Sequence, residues 1–159
     1  MVVLSNYENK YKQVLDELQK EVWGEGSDTD DIISTLNDRY VRLAFIDNEV
    51  VGASVSEVAL SSCHIDFIII KPGFQKMGIG SLLMKDIVEY CSNSNIKLIE
   101  CEAIDVFGKV NAEKLLNKYE FVCTYSKDNY WGELYPDFYC KQCNSKPCVC
   151  TMKKYVKEL

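Results

Sequence analysis

Apolar and polar residues alternate along the chain with two different periods, and these periods separate helices from strands. Near the amino terminus, apolar side chains recur at the spacing of one helical face, which predicts a first helix. These positions are Tyr7, Tyr11, Val14, Leu15, Leu18 and Val22. A break near Gly24 precedes a second predicted helix, which Ser27 or Asp28 can cap. Its apolar positions are Ile32, Ile33 and Leu36.

The remaining pattern predicts short strands interrupted by two further helices. Strands are expected at residues 2–4, 40–46, 49–59, 64–70, 96–104, 121–125 and 151–156, and helices at 80–91 and 110–119. Hairpin strands followed by βαβ units imply a mixed sheet with helices on its faces. We therefore predict an α/β (α+β) fold in a single domain over residues 1–159. Its mixed, mostly antiparallel sheet should have about seven strands, flanked by about four helices.

Composition and charge narrow the classes of protein that remain. Of the 159 residues, 47% are hydrophobic and 26% are charged, which is ordinary globular composition. No apolar run approaches the roughly 20 residues of a membrane span. The first residues lack the pattern of a signal peptide, so we expect a cytoplasmic protein. The net charge of −6 argues against nonspecific binding to nucleic acid or anionic membranes and favours cationic partners.

A glycine-rich turn follows the apolar strand at 64–70 and leads directly into the helix at 80–91. Its sequence is IIIKPGFQKMGIG over residues 68–80. Glycines such as Gly78 and Gly80 allow the backbone to approach a ligand closely, and the amino-terminal end of a helix binds phosphate. The spacing matches neither the GxGxxG dinucleotide fingerprint nor a P-loop. A glycine pair before a helix is also often a simple turn.

The segment Gln75-x-x-Gly78-x-Gly80, after an apolar strand and Lys-Pro, resembles the acetyl-CoA motif of the GNAT family of N-acetyltransferases. The order of predicted elements resembles that family over residues 2–131 and 151–157. The resemblance implies that backbone amides of seven residues cradle the pyrophosphate of acetyl-CoA. These are Gln75, Lys76, Met77, Gly78, Ile79, Gly80 and Ser81. It also implies that the backbone of Ile68, Ile69 and Ile70 runs beside the pantetheine, in a gap between the strands at 64–70 and 96–104.

The reaction that the resemblance implies is direct transfer of the acetyl group to a primary amine, which must first lose a proton to a general base. His64 and Asp66 lie two residues apart on one predicted strand and therefore share a face. Equivalent positions carry the base in several members of the family. His64 can also be a hydrogen-bonded histidine at a strand end. Glu57, Glu100 and Glu102 are alternative bases on neighbouring strands.

The chain departs from the family pattern near the helix at 110–119. Many members have a tyrosine there that protonates the departing thiolate of CoA, and this position corresponds to Leu116. The usual asparagine position falls on Lys109, with Asn111 close by as a candidate contact to the cofactor. Tyr119 is displaced by three residues and is better explained as a core residue. The candidate proton donors are Tyr125, Tyr130 and water. A further alternative is a protein that binds CoA without transferring acetyl.

The eight cysteines fall into two groups. Four are scattered through apolar segments and are expected to be reduced packing residues, namely Cys63, Cys91, Cys101 and Cys123. The other four are Cys140, Cys143, Cys148 and Cys150, within eleven residues. Four such thiolates suit a closed tetrahedral site for structural Zn²⁺, resembling a zinc knuckle inserted at 140–150. The alternatives are a redox-active pair and four cysteines without a shared role.

A second hypothesis is a non-catalytic module that binds CoA, or that docks on a protein or nucleic acid through the cysteine-rich segment. Four lysines near this segment offer some support for nucleic acid, although the acidic total makes that partner unlikely. They are Lys141, Lys146, Lys153 and Lys154. For the enzyme hypothesis, the acceptor remains open between a peptide amino terminus, a lysine, a polyamine and an aminoglycoside-like amine, and the oligomeric state is also open.

Overall fold

The computed structural model describes residues 1–25 and 38–159. Within these residues, eight strands form a single sheet. The strands are β1 (Val3–Asn6), β2 (Arg39–Ile46), β3 (Glu49–Val58), β4 (Ser62–Ile70), β5 (Leu98–Val106), β6 (Lys109–Val110), β7 (Val122–Lys127) and β8 (Thr151–Glu158). The helices are α1 (Lys12–Trp23), α2 (Ile79–Asn93), α3 (Glu113–Lys118) and α4 (Tyr130–Leu134), and a short 3₁₀ turn (Asn9–Tyr11) precedes α1.

The strand order is β1-β2-β3-β4-β5-β8-β7, and β6 pairs with the end of β5. All of these pairings are antiparallel except that of β4 with β5. The predicted mixed, mostly antiparallel sheet flanked by helices is therefore confirmed. The sheet has eight strands rather than about seven because the turn at Phe107 and Gly108 folds β6 back on β5.

The parallel pairing between β4 and β5 is short. It joins Ser62 to Leu98 and ends where Ile65 pairs with Cys101. Beyond that point β5 pairs with β6 and β8, while residues 66–70 of β4 have no described strand on their β5 side. The predicted gap between these two strands is therefore present.

Two hydrophobic cores cover the two faces of the sheet, because apolar residues on each strand alternate between them. Leu15 and Leu18 of α1 pack against residues of β2, β3 and β4 on what we call the α1 face. Met84 and Ile87 of α2 pack against residues of β4 and β5 on the opposite α2 face. No helix within residues 1–25 and 38–159 is long and apolar enough to cross a membrane.

Four local features differ from the expectations or fall outside the described chain. The helix expected at 110–119 begins only at Glu113, because Val110 belongs to β6. Helix α4 was not predicted, since its five residues are too few to show a helical period. Cys123, expected to be a packing residue, is exposed on β7. The predicted second helix with Ile32, Ile33 and Leu36, and its caps Ser27 and Asp28, lies outside the described residues.

Candidate functional site

The glycine-rich segment forms an open loop between β4 and α2. Gly78 is the residue that precedes α2, with a φ of 82°, and no side chain caps the helix there. A Cβ atom added at Gly73 or Gly78 would lie more than 4 Å from every described atom beyond the neighbouring residues. The first N–H groups of a helix have no partner inside the helix. The start of α2 is therefore accessible to an anion such as a phosphate.

Gly80 differs from Gly78 in what surrounds it. A Cβ atom at Gly80 would lie 3.6 Å from Leu115 and 4.0 Å from Ile70, which is ordinary contact. Gly80 therefore faces α3 and β4, and Gly78 is the glycine that faces open space. The other predicted loop residues divide in the same way, because Ile79 is buried in the core whereas Met77 is 59% exposed.

A lysine that the sequence analysis did not identify lies at the start of α2. Lys118 of α3 donates to the hydroxyl of Ser81 at 2.6 Å. The hydroxyl of Tyr119 donates to the carbonyl oxygen of Ser81 at 2.8 Å. These contacts hold α3 against the first turn of α2 and place a positive charge beside its free N–H groups. Lys118 is 37 residues from Ser81 in sequence, so no local motif could have indicated it.

The three isoleucines that end β4 use their side chains for the core. Ile69 packs in the α1-face core, whereas Ile68 and Ile70 pack in the α2-face core. The backbone of this segment pairs with β3 on one side and borders the gap on the other. The amide nitrogen of Gln75 donates to the carbonyl oxygen of Ile70 at 3.4 Å. Asn111, the predicted contact on the far side of the gap, is exposed in the turn before α3.

His64 lies where β4 and β5 begin to separate, and carboxylates surround it. Its register partners are Glu57 on β3 and Glu100 on β5. Its Nε2 atom is 2.9 Å from the carboxylate of Glu102, and its Nδ1 atom is 3.7 Å from that of Glu100. The hydrogen bond to Glu102 raises the pKa of His64 and lowers the pKa of Glu102. The three alternative bases, Glu57, Glu100 and Glu102, therefore all lie beside His64.

Asp66, the other predicted catalytic residue, lies beside His64 but is held by a different partner. Ser56 and Val55 are adjacent on β3, but their partners Ile65 and Phe67 are two residues apart on β4. Asp66 therefore lies in a β-bulge. Its carboxylate pairs with the guanidinium of Arg39, which also lies 3.5 Å from Glu57. Burial raises the pKa of Asp66 in spite of this ion pair. Arg39 was not identified from the sequence, and Lys154, which is 3.0 Å from Glu100, was named there only as a possible nucleic-acid contact.

The candidate proton donors are distributed over different parts of the fold. Leu116, at the position of the usual tyrosine, is 2% exposed in the α2-face core and has no proton to donate. Tyr119 is half-buried against that core, as expected, and its hydroxyl reaches the start of α2. Tyr125 is 54% exposed on β7, and Tyr130 begins α4. The geometry therefore puts Tyr119 nearer to the loop than the sequence suggested.

The four cysteines of the carboxy-terminal segment converge as the metal hypothesis requires. The Sγ atoms of Cys140, Cys143, Cys148 and Cys150 all lie within 4.8 Å of one another. Cys140 and Cys150 are 4.0 Å apart, and Cys143 and Cys148 are 3.9 Å apart. A tetrahedral zinc site with bonds of about 2.3 Å has sulfur atoms about 3.8 Å apart. A disulfide needs about 2.05 Å, so these four thiols are free and spaced for a metal.

The segment at 140–150, which we call the cysteine loop, is buried on its inner side. Three of the cysteines are buried, and Trp131, Phe138, Ile104 and Val106 pack against them. Burial raises the pKa of Cys148 to about 11. For Cys143, burial opposes ionisation, but the backbone of Val149 and the neighbouring thiols lower the pKa overall.

The lysines near the cysteine loop have protein partners. Lys141 donates to the carbonyl oxygen of Lys20, and Lys146 lies 3.7 Å from Asp137. Lys153 is 3.0 Å from Asp105, and Lys154 is 3.0 Å from Glu100. These four lysines therefore do not form a free basic patch, which weakens the hypothesis of a nucleic-acid module.

Comparison with known protein families identifies the family of the chain. The model of the acetyltransferase (GNAT) family matches residues 7–121, which is more than half of the chain. The chain therefore belongs to the GNAT family. This confirms the resemblance drawn from the loop and the predicted class of enzyme, an acetyl-CoA-dependent N-acetyltransferase. No curated protein matches the chain.

Many solved structures share the fold. A GNAT family acetyltransferase from Elizabethkingia anophelis with acetyl-CoA bound is 22% identical, with 99% of this chain and 98% of that one covered and a TM-score of 0.77. Naa50 from Arabidopsis thaliana, in complex with the bisubstrate analogue CoA-Ac-MVNAL, is 19% identical, with 99% of both chains covered and a TM-score of 0.75. An aminoglycoside 6'-N-acetyltransferase complexed with coenzyme A is 12% identical, with 98% and 96% covered and a TM-score of 0.74. At these identities the likeness establishes the fold.

Proposed function

We propose that this protein transfers the acetyl group of acetyl-CoA directly to a primary amine in the gap between β4 and β5. The observation that carries this proposal is a juxtaposition of two features. The uncapped start of α2 lies at one end of β4, and His64 lies on the same strand where β4 and β5 separate. A phosphate site and a proton acceptor are thus connected by the open backbone edge of residues 66–70.

The residues around the loop fit the phosphates of acetyl-CoA. The backbone N–H groups of residues 75–81 supply donors, and Gly78 leaves space for a close approach. Lys118, which lies outside the sequence motif, adds a positive charge at the start of α2. The unpaired backbone edge at Ile68, Ile69 and Ile70 can bind amide groups of the pantetheine as a further strand would. Acetyl-CoA, when bound, supplies the thioester that the amine attacks.

His64 is proposed as the general base, with Glu102 as the residue that orients it. If Nε2–H of His64 donates to Glu102 at 2.9 Å, the Nδ1 atom carries the free lone pair. Glu100 is 3.7 Å from Nδ1, which is beyond hydrogen-bond range, so this atom can accept the proton of an ammonium group. We call the surroundings of His64, formed by Asp66, Glu100 and Glu102, the His64 recess. Asp66 contributes negative charge to it but is already paired with Arg39.

We further propose that the cysteine loop binds one structural Zn²⁺ through Cys140, Cys143, Cys148 and Cys150. Its sulfur–sulfur distances of 3.9 and 4.0 Å support this ligand set. Four protein ligands leave no open coordination position, so the metal would have no catalytic role. Thiolate ligands persist in a reducing compartment, which is consistent with the cytoplasmic location expected from the sequence.

The proposal is tested by measuring release of free CoA from acetyl-CoA in the presence of different amines. The probes are a peptide with a free amino terminus, a lysine peptide with a blocked amino terminus, spermidine and kanamycin. We expect turnover with at least one of these amines and a mass increase of one acetyl group on it. The His64→Gln variant should bind acetyl-CoA normally but lose most of this turnover.

Two outcomes would contradict the proposal. Absence of acetyl-CoA binding at millimolar concentration would remove the enzyme hypothesis. Binding without turnover on any amine would favour a non-catalytic CoA-binding protein. Ser92→Ala is a suitable control, because the Ser92 hydroxyl is exposed on α2 and donates to the carbonyl oxygen of Val88 in the same helix. It should leave turnover unchanged.

A further inference from the structure

The cysteine loop makes a second set of contacts that its role as a metal site does not explain. The amide nitrogen of Gln142 donates to the carbonyl oxygen of Val22 at 2.9 Å, and the ammonium of Lys141 donates to that of Lys20 at 3.2 Å. The backbone nitrogen of Lys141 donates to the carbonyl oxygen of Trp23 at 3.5 Å. The last carbonyl groups of a helix have no partner inside the helix. The cysteine loop therefore acts as the carboxy-terminal cap of α1, from more than 110 residues away in sequence.

The end of α1 is fixed on its other side by β4. The ring of Trp23 packs edge-on against Phe67, with 5.0 Å between the ring centroids. Phe67 directly follows Asp66 and lies three residues after His64 on the same strand. A displacement of the end of α1 would therefore change the surroundings of the His64 recess.

The cysteine loop also borders the surroundings of His64 along β5. Ile99 and Cys101 of β5 pack on the α2 face, so the alternating residues Glu100 and Glu102 point to the α1 face. Ile104, the next residue on that face, packs against the buried cysteines together with Val106. The loop thus covers β5 immediately beyond Glu102. His64 and its carboxylates are bordered by the end of α1 on one side and by the cysteine loop on another.

We propose that the cysteine loop is a metal-dependent clamp that positions the end of α1 as a wall of the acceptor recess. This inference rests on the proposed acetyl transfer and zinc site. Gln142 is the positioning residue, because its side chain joins the loop to the end of α1 through the carbonyl oxygen of Val22. Metal holds the loop closed, the closed loop caps α1, and the capped helix keeps Trp23 on Phe67. Zinc binding is therefore coupled to acceptor binding and not to binding of acetyl-CoA.

The coupling predicts a local effect of metal removal. Without metal, only the packing around the buried cysteines holds the loop, and its polar outer residues lose their order, since metal binding supplies much of the folding free energy of such segments. The last turn of α1, where the backbone nitrogen of Gly24 donates to Lys20 at 2.9 Å, should then fray. The hairpin of β2 and β3 lies outside these contacts and should not change.

Hydrogen exchange of the whole protein, with zinc bound and after treatment with a chelator, tests this directly. We expect amides of residues 20–25 to exchange at least about tenfold faster after zinc removal, while those of β2 and β3 keep their rates. Gln142→Met, which keeps the length of the side chain and removes its donor, should give a smaller increase of about 2–10-fold with zinc still bound. Gln13→Met is the matched control, because Gln13 lies on the same helix and its exposed amide donates to Glu17 within that helix.

Kinetics separate positioning from a merely structural role. With the probe amine that is turned over fastest, Gln142→Met should raise the KM for the amine about 2–10-fold. The kcat and the KM for acetyl-CoA should remain unchanged, and Gln142→Arg, which restores a donor, should recover part of the loss.

Three results would overturn the clamp. One is unchanged exchange at residues 20–25 after zinc removal, and another is an equal acceleration across the whole sheet. The third is an unchanged KM for the amine in Gln142→Met. Failure of the clamp can be distinguished from failure of the proposed zinc site or acetyl transfer. Zinc content by elemental analysis and thermal stabilisation by acetyl-CoA are measured on the same samples. The exchange measurement does not need a known acceptor.

Discussion

Gly132 of α4 supports the sharpest prediction about the cysteine loop. A Cβ atom at this position would overlap the carbonyl oxygen of Cys148 and lie 3.1 Å from its carbonyl carbon and 3.2 Å from its nitrogen. All three atoms belong to the backbone of a proposed zinc ligand, so a rotamer change cannot relieve the overlap. Gly132→Ala must therefore move α4 away from the cysteine loop or displace Cys148.

The expected change in the free energy of unfolding of Gly132→Ala is the balance of two opposing effects. Replacing glycine by alanine inside a helix normally stabilises it by about 0.5–1 kcal/mol. Forcing an extra methyl group into packed structure costs about 1–3 kcal/mol. We expect a net loss of about 1–2 kcal/mol, which corresponds to a fall in Tm of about 2–8 °C for a chain of this length. The zinc affinity should fall as well, because the overlap displaces a ligand residue.

Thermal unfolding followed by circular dichroism, with and without zinc, measures this loss. Gly80→Ala is the matched control, because a Cβ atom at that helical glycine would lie 3.6 Å from the side chain of Leu115, and alanine there should be neutral or stabilising. After zinc removal the difference between Gly132→Ala and the wild type should shrink, since the loop is then free to move. If Gly132→Ala has the Tm and zinc content of the wild type, then α4 and the cysteine loop do not contact each other as described.

Three further predictions concern catalysis, metal and cofactor. His64→Ala should lower kcat about 10²–10⁴-fold. Glu102 raises the pKa of His64, and the neutral imidazole is the active form. Activity is therefore lost as pH falls through this raised pKa, and Glu102→Gln should move the acidic limb of the kcat/KM profile to lower pH. Cys140→Ser should release zinc, measured by elemental analysis, whereas Cys91→Ser, in the α2-face core, should not. Lys118→Met should weaken acetyl-CoA binding in a calorimetric titration about tenfold without lowering Tm by more than a few degrees.

The sequence predicted elements with strong periodicity and motifs confined to a few residues. Helix α2 was identified from its apolar face and β4 from its continuous apolar stretch, and β2, β3 and β5 are likewise long runs rich in apolar residues. The glycine-rich loop and the four cysteines were identified because their chemistry depends on local spacing. Helix α4 and β6 were missed because five and two residues carry no period.

The missed parts of the site depend on contacts between residues far apart in sequence. Lys118 reaches Ser81 from α3, and Arg39 reaches Asp66 from β2. Gln142 reaches the end of α1 across 120 residues. A polar residue of this kind looks like any solvated surface residue until the fold brings its partner close. The bulge at Asp66 is also a property of the pairing of β3 with β4, so the simple alternation of faces could not reveal it.

Binding of acetyl-CoA at the start of α2 can be measured by calorimetric titration of the wild type and two glycine variants. Gly78→Val places a branched side chain where the backbone faces open space, and Gly108→Val places the same side chain at another open glycine with positive φ, in the turn between β5 and β6. The strain of a positive φ is thus similar in both variants. We predict one acetyl-CoA site per wild-type chain, loss of binding by at least about tenfold in Gly78→Val, and near-normal binding in Gly108→Val. Unchanged affinity in a folded Gly78→Val protein, or no binding by the wild type at millimolar acetyl-CoA, would contradict the account.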